Sequence, residues 1–239
     1  MWPPRILIIL TLLFGATAGM ASPAPFAVNT GFTPPVSTIF EQILQEVFAR
    51  LGRRLDFQEV SAERSLMLVN DGIDDAECCR IPAVVQREYR DLVAVPESVF
   101  EARFSAFVTN ADVRVGKWDD LKPYSVGTVT GWKILVNNIG LVEPREYFVL
   151  ENAEAMFRML DMGRLEVATL GYLSGLKTLQ ELQLQDVVQV LEPPLATRKL
   201  YLMVNRKHAA LVPQLSEILA ELKADGTIDR IVRRVSAEP

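Results

Sequence analysis

Two similar segments follow one another along this chain, each reading strand, helix, strand, and this duplication limits the folds open to it. In the first, a helical run from Thr38 to Leu51 leads into Leu55-Asp56-Phe57-Gln58-Glu59-Val60, a second helix, and the turn Asn70-Asp71-Gly72-Ile73-Asp74-Asp75. In the second, Tyr124 to Trp132 opens a helix, and a later helix runs into Asp161-Met162-Gly163-Arg164-Leu165-Glu166-Val167-Ala168. Strands alternating with helices favour a mainly parallel sheet covered by helices. Two such lobes facing one another would enclose a cleft of a size suited to a small molecule.

The ends of the chain give its destination. Arg5, the apolar run Ile6 to Phe14 and Gly19-Met20-Ala21 before Ser22 have the charge, core and small-residue pattern of a secretory signal peptide. The apolar core is shorter than the roughly 20 residues that span a bilayer. Cleavage after residue 21 is therefore expected, leaving a monomer free in the periplasm and not inserted in a membrane. The formal net charge of −5 becomes one unit more negative once Arg5 is removed, and no basic block exists. Nucleic acid is accordingly excluded as a natural partner.

Within the mature part, Phe40, Ile43, Leu44, Val47, Phe48 and Leu51 recur at helical spacing behind a Thr38/Glu41 capping box, and the helix ends at Gly52. Ser61 is the expected cap of the second helix. Leu92 to Val95, Arg103 to Thr109, Ser125 to Val129, Tyr147 to Leu150, Leu165 to Leu170, Val187 to Leu191 and Lys199 to Val204 read as strands. The chain closes with helices over Leu211 to Lys223 and Thr227 to Val235. A change of pattern near Asn110 to Lys122 and the turn Glu192-Pro193-Pro194 mark two crossings between lobes. The expected organisation is a leader at 1–21, one lobe built from 22–110 and 195–239, and a second from 111–194. Two short crossings make a hinge that permits closure around a ligand.

These elements resemble the family 3 bacterial extracellular solute-binding proteins, which share the type II periplasmic binding fold. The likeness rests on Phe57 to Asp74, ending in Gly72-Ile73-Asp74, and on Trp118-Asp119-Asp120-Leu121 followed by Val126-Gly127-Thr128-Val129-Thr130-Gly131. It continues in Met159 to Ala168 and in the closing Lys223-Ala224-Asp225-Gly226-Thr227-Ile228 within Leu219 to Ile231. The resemblance implies capture of polar amino acids or similar solutes for a membrane permease of an ABC transporter. It also implies an arginine shortly after the first lobe's acidic turn, a part Arg80 can fill. Where the family carries an aspartate closing a second-lobe strand, this chain has Thr169-Leu170-Gly171-Tyr172, so an α-ammonium group loses its usual partner.

The candidate ligand residues follow. Thr128, Thr130, Gly131 and Trp132 stand where a strand turns into a helix, so hydroxyls and backbone N–H groups can meet an anionic oxygen; Thr130 is equally a plain helix cap. Arg80, which follows a first-lobe strand expected to end near Asp74, can clamp a carboxylate through two parallel hydrogen bonds. Arg64 lies early in the second helix, while Tyr172 and Phe32 are candidates for the cleft wall.

No catalytic constellation or metal motif occurs, so neither an enzyme nor a cofactor or metal is expected; the lone histidine, His208, reads as an exposed turn residue. Cys78 and Cys79 are adjacent and admit three readings: two small thiols, a vicinal disulfide, or a redox or metal role. Two other functional classes remain beside solute capture for transport. One is a sensing or accessory periplasmic protein that keeps the fold, and the other is an enzyme on the same scaffold.

Overall fold

The computed structural model describes residues 24–237, so the leader expected at 1–21 lies outside the described residues. The chain is built as β1 (Phe26–Thr30), α1 (Val36–Arg50), β2 (Leu55–Glu59), α2 (Ala62–Asn70), β3 (Ala76–Arg80), α3 (Pro82–Val85), β4 (Leu92–Ala94) and β5 (Phe100–Val108). A 3₁₀ turn at Trp118–Leu121 then leads to β6 (Ser125–Val129), α4 (Lys133–Val142), β7 (Glu146–Leu150), α5 (Ala153–Asp161), β8 (Val167–Gly171) and α6 (Tyr172–Glu181). β9 (Gln189–Val190), β10 (Ala196–Asn205), a second 3₁₀ turn (Arg206–Leu211), α7 (Val212–Ala224) and α8 (Thr227–Ala237) complete it.

The strand order β2-β1-β3-β10-β5-β8-β6-β7 contains the duplication in spatial form. On one side β1 pairs in parallel with both β2 and β3, and on the other β6 pairs in parallel with both β7 and β8. Each parallel trio is closed by one antiparallel strand, β10 against β3 and β5 against β8. The trios are thus two copies of a βαβαβ unit, and β5 and β10 are the two strands that join them. β10 divides its hydrogen bonds: Ala196 to Leu200 pair with β5, and Tyr201 to Asn205 pair with β3 and β4.

Apolar faces hold the helices down. Ile39, Phe40, Ile43, Leu44, Val47 and Phe48 of α1 are fully or almost fully buried and face the core, with α7 and α8 packed on the same helix. A second cluster centres on Phe107, Met156, Phe157 and Leu160 around α5, where Phe107 and Phe157 meet edge to face at 5.3 Å between ring centroids.

Four local expectations require correction. The capping box at Thr38 and Glu41 does not form the start of α1, because the helix begins at Val36 behind Pro35. The amides of Ser37 and Ile39 already donate to Thr33 and Pro35, which places Thr38 inside the first turn. Thr130 likewise caps nothing: its amide donates to Leu150 O, and Trp132 occupies the cap position of α4. The third strand starts after Asp74-Asp75 instead of ending there, and Arg80 is its last residue. His208 is half-buried, its Nε2 2.7 Å from Asp75 Oδ1 and its ring 4.8 Å from that of Phe26.

Asp75 ties the end of one turn to the start of another. Its carboxylate accepts from the amide of Ala27 at 3.0 Å and pairs with Lys207 at 2.9 Å. Burial alone would push this carboxyl up, but the Ala27 amide, His208 and Lys207 together hold it below its usual value. A depressed folded-state pKa adds stability that is present above the unfolded value near 3.9 and is lost as pH falls through the folded one. Asp75→Asn should therefore destabilise the protein at neutral pH, and the gap from the parent should shrink in acid; denaturant melts across pH 2–7 measure it. In the second lobe, a Cβ on Gly175 would lie 2.2 Å from the Phe107 ring. Gly175→Ala is expected to cost about 1–3 kcal/mol through overpacking, measured by the same melts.

Candidate functional site

The carboxyl ends of the two parallel trios face a common space, the place where open α/β sheets hold ligands. A cavity of about 700 Å³ lies there. From the first trio it is lined by the turns after β1 (Gly31 to Pro34) and β2 (Ser61 to Glu63) and by the end of β3 (Cys79 to Ile81). The second trio contributes Val129 to Ile134 after β6, Glu151 to Ala153 after β7, and residues of β8 and α6. Phe104 of β5 and Leu200 of β10, one from each joining strand, also line it.

Arg80 is held in this wall by a buried charge pair. Its Nε lies 2.7 Å from Glu77 Oε1 without the N–H pointing along that line, so the contact is ionic more than a linear hydrogen bond. Its Nη2 donates to Ala62 O at 2.9 Å and to Ser65 Oγ at 3.1 Å, while Ser65 Oγ donates to Glu77 Oε1 at 2.9 Å. Among the described residues, Nη1 has no hydrogen-bond partner within the protein. Burial pushes the Glu77 carboxyl above the usual carboxylate range, opposed by Arg80, Ser65 and a Gly31 amide. Gly31 also permits the close approach, since a Cβ there would stand 2.5 Å from Arg80 Nη2 and 2.4 Å from the Ala62 Cα. The Arg80 guanidinium lies 5.6 Å from the Phe32 ring centroid.

Aromatic side chains form the wall beside Arg80. Trp132 meets Phe32 edge to face at 5.3 Å and Phe104 at 6.0 Å. Its ring tip covers the end of β8, where a Cβ on Gly171 would lie 2.6 Å from Trp132 Cη2. No side chain fits at that strand end while the indole is there. Gly131, at φ +86°, brings the turn before α4 against Ala62, so that the two trios touch across the cavity.

The sequence candidates thus separate. Arg80, Thr130, Gly131, Trp132 and Phe32 come together on the cavity. Thr128 does not reach it: it is fully buried in β6 and donates to Thr169 O, a cross-strand bond within the sheet. Arg64 is exposed on α2 and is not part of the lining, because helical spacing turns it away from the face that carries Ala62 and Ser65. Tyr172 lines a second cavity of about 230 Å³ behind the Trp132 and Phe32 wall, where Arg103 lies over its ring at 4.3 Å. Cys78 and Cys79 are joined as a vicinal disulfide, and Cys79 lines the main cavity beside Arg80.

Sequence reasoning missed the charges that bridge the trios. Lys133, the first residue of α4, reaches Glu63 at 3.3 Å and Glu88 at 3.0 Å, and its ammonium lies 5.0 Å from the Tyr89 ring centroid. The Tyr89 hydroxyl donates to Glu63, which lowers that carboxyl. Burial and Glu63 together raise the phenol to about 12. Ser174, Lys177 and Thr178 of α6 also line the cavity; their three- and four-residue spacing was the available signal. Among the described residues no group of three or more His, Cys, Asp or Glu side chains is placed to hold a metal ion, and no helix is long and apolar enough to cross a membrane.

The architecture matches solved structures over almost its whole length. The GluR0 ligand-binding core in complex with L-glutamate superposes with a TM-score of 0.77 at 12% identity, covering 91% of this chain and 100% of that one. The fold is that of a two-lobed periplasmic binding protein. A histidine kinase sensor domain with similarity to periplasmic binding proteins gives 0.76 at 14% identity, over 90% of this chain and 98% of that one. An ancestral arginine-binding protein bound to glutamine gives 0.69 at 17%, with the same coverage. In sequence, the chain is 23% identical to an uncharacterized protein of Shewanella oneidensis across 98% of this chain and 94% of the relative. No family model matches.

Lys133, held by Glu63 and Glu88, and Gly131, seated against Ala62, tie the two units together across the cavity. Partly exposed ion pairs contribute about 1 kcal/mol or less each. Lys133→Ala should raise the radius of gyration of the protein in solution, measured by small-angle X-ray scattering.

Proposed function

We propose that this protein is a periplasmic solute-binding protein that captures a small polar ligand bearing a carboxylate and hands it to a membrane transporter. One observation carries the reading: the carboxyl ends of two βαβαβ units face a single cavity, with Arg80 anchored in its wall and Nη1 left unpartnered. A guanidinium already fixed by Glu77, Ser65 and Ala62 loses little freedom when it binds a carboxylate, which favours affinity. Phe32, Trp132 and Phe104 would shield the ligand from water, and Thr130 and Gly131 would offer polar backbone and hydroxyl contacts. Arg64, Thr128 and Tyr172 have no place in this reading.

The lobes are assigned to 22–110 with 195–239 and to 111–194, closing about β5 and β10, and the leader at 1–21 would deliver the protein to the periplasm. Relatives in fold that bind L-glutamate or glutamine support a small-molecule partner. The likeness to a histidine kinase sensor domain supports a second reading, in which the closed form signals to a membrane sensor instead of supplying a permease. Both readings need the same ligand site and neither requires turnover.

A thermal-shift screen against amino acids, small carboxylates, amines and sugars tests the site. A ligand at about 100 times its Kd adds roughly 2.7 kcal/mol, a rise of a few degrees for a chain this long. Arg80→Ala strands the buried Glu77 charge, so the informative variant is Glu77→Gln with Arg80→Gln, which removes both charges together. Loss of about tenfold or more in affinity by the double variant is expected. Undiminished binding would remove Arg80 from the site, and silence across the whole library would overturn solute capture.

A further inference from the structure

The side of the cavity built from α5 and α6 carries hydrogen-bond donors that have no partner among the described residues. Ser174 is 7% exposed, and its Oγ is buried without a hydrogen-bond partner. One turn later on α6, Lys177 is half-buried and makes no ion pair among the described residues, whereas Lys133 is held by Glu63 and Glu88. Asn152 is exposed at the mouth of the cavity and caps α5 through its Oδ1, which accepts from the Ala155 amide at 2.8 Å, so its Nδ2 remains available as a donor. These three side chains line the same cavity as Arg80. A buried hydroxyl without a partner costs stability, so a site that keeps one calls for a ligand to complete it.

The carboxylates that line the cavity are exposed or already engaged. Glu151 and Glu181 line the cavity but are exposed, and Glu63 is engaged by Tyr89 and Lys133. The end of β8, which lies opposite the end of β3 in the duplicated unit, holds Gly171 under the Trp132 ring and offers no carboxylate. A ligand ammonium would therefore find no buried acidic partner at that strand end.

We propose that the cavity selects an extended dicarboxylate without an α-ammonium group, one carboxylate on Arg80 and the other on a subsite formed by Ser174, Lys177 and Asn152. This rests on the reading of the cavity as a ligand site with Arg80 as the first clamp, and extends it to the opposite end of the ligand. Both ends of the ligand meet donors, and the aromatic wall between them covers its apolar chain.

Isothermal titration of the purified protein with succinate, glutarate and adipate, with monocarboxylates of matching length, and with L-glutamate and L-arginine tests the assignment. One of the dicarboxylates should bind more tightly than its monocarboxylate and than L-glutamate. Lys177→Met should weaken that dicarboxylate about tenfold, the size of one charge-assisted hydrogen bond, and leave the monocarboxylate unchanged. Lys177→Glu should shift the preference to an ω-amino carboxylate of similar length. Because Lys177 is partly exposed on a helix, both variants are expected to melt at the parent temperature without ligand, which separates a binding loss from a folding defect. Binding that depends on Arg80 but ignores Lys177, or a preference for L-arginine, overturns the second subsite and leaves the Arg80 reading standing. Failure of every dicarboxylate to bind overturns it as well.

Discussion

β10 is the strand on which the arrangement of this molecule depends. Its first half completes one sheet against β5 and its second half completes the other against β3 and β4, so one run of ten residues satisfies backbone groups in both lobes. Because β5 lies antiparallel to it and continues into the second sheet, the lobes are joined by two hydrogen-bonded strands and not by loose linkers. Such a junction bends but does not slip in register. It therefore fixes which strand ends confront each other, and a cavity between them follows from the topology before any side chain is considered.

Within that frame one buried acid organises the first wall. Glu77 is fully buried, and a carboxylate there is tolerable only if cations and donors surround it. Arg80, three residues later on the same strand, comes back to pair with it, and Ser65 and Ala62 of α2 fix the guanidinium from the neighbouring turn. The requirement to compensate Glu77 and the readiness to receive an anion are thus properties of the same side chain. On the other lobe the fixed element is apolar: Trp132 occupies the space at Gly171 and packs on Phe32 from the first lobe, so the contact between the two units is also a wall of the cavity.

Much of the fold was legible because the periodicities are local. The apolar spacing from Phe40 to Leu51 describes one helix face, and the strands from Ser125 to Val129 and Tyr147 to Leu150 alternate with helical runs as a βαβ unit must. The boundaries that failed were decided by neighbours. Pro35 and the Thr33 carbonyl begin α1 ahead of its apparent capping box, and the Leu150 carbonyl takes the Thr130 amide into the sheet. Arg64 and Thr128 illustrate the same limit for the site. Nearness in sequence to a strand end does not say which way a side chain turns, and one position of a helix or strand reverses the answer.

By itself the sequence determined the duplicated α/β units and the negative charge that disfavours nucleic acid, because each rests on composition or on spacing within a single element; of the cavity lining it reached only Phe32, Arg80, Thr130, Gly131 and Trp132. The tertiary structure alone decided that Arg80 is tethered to Glu77 and Ser65, that Lys133 bridges to Glu63 and Glu88, that His208 meets Asp75, and that Ser174, Lys177 and Asn152 share a cavity with Arg80. Most of these groups lie far apart in the chain: Arg80, Glu77, Ser65, Asp75 and His208 meet within the first unit and the elements packed on it, and Lys133 with Glu63 and Glu88, like the cavity lining, meet only where the two units face each other. Pairwise electrostatics and hydrogen bonding act over a few ångströms, a distance that sequence separation does not encode.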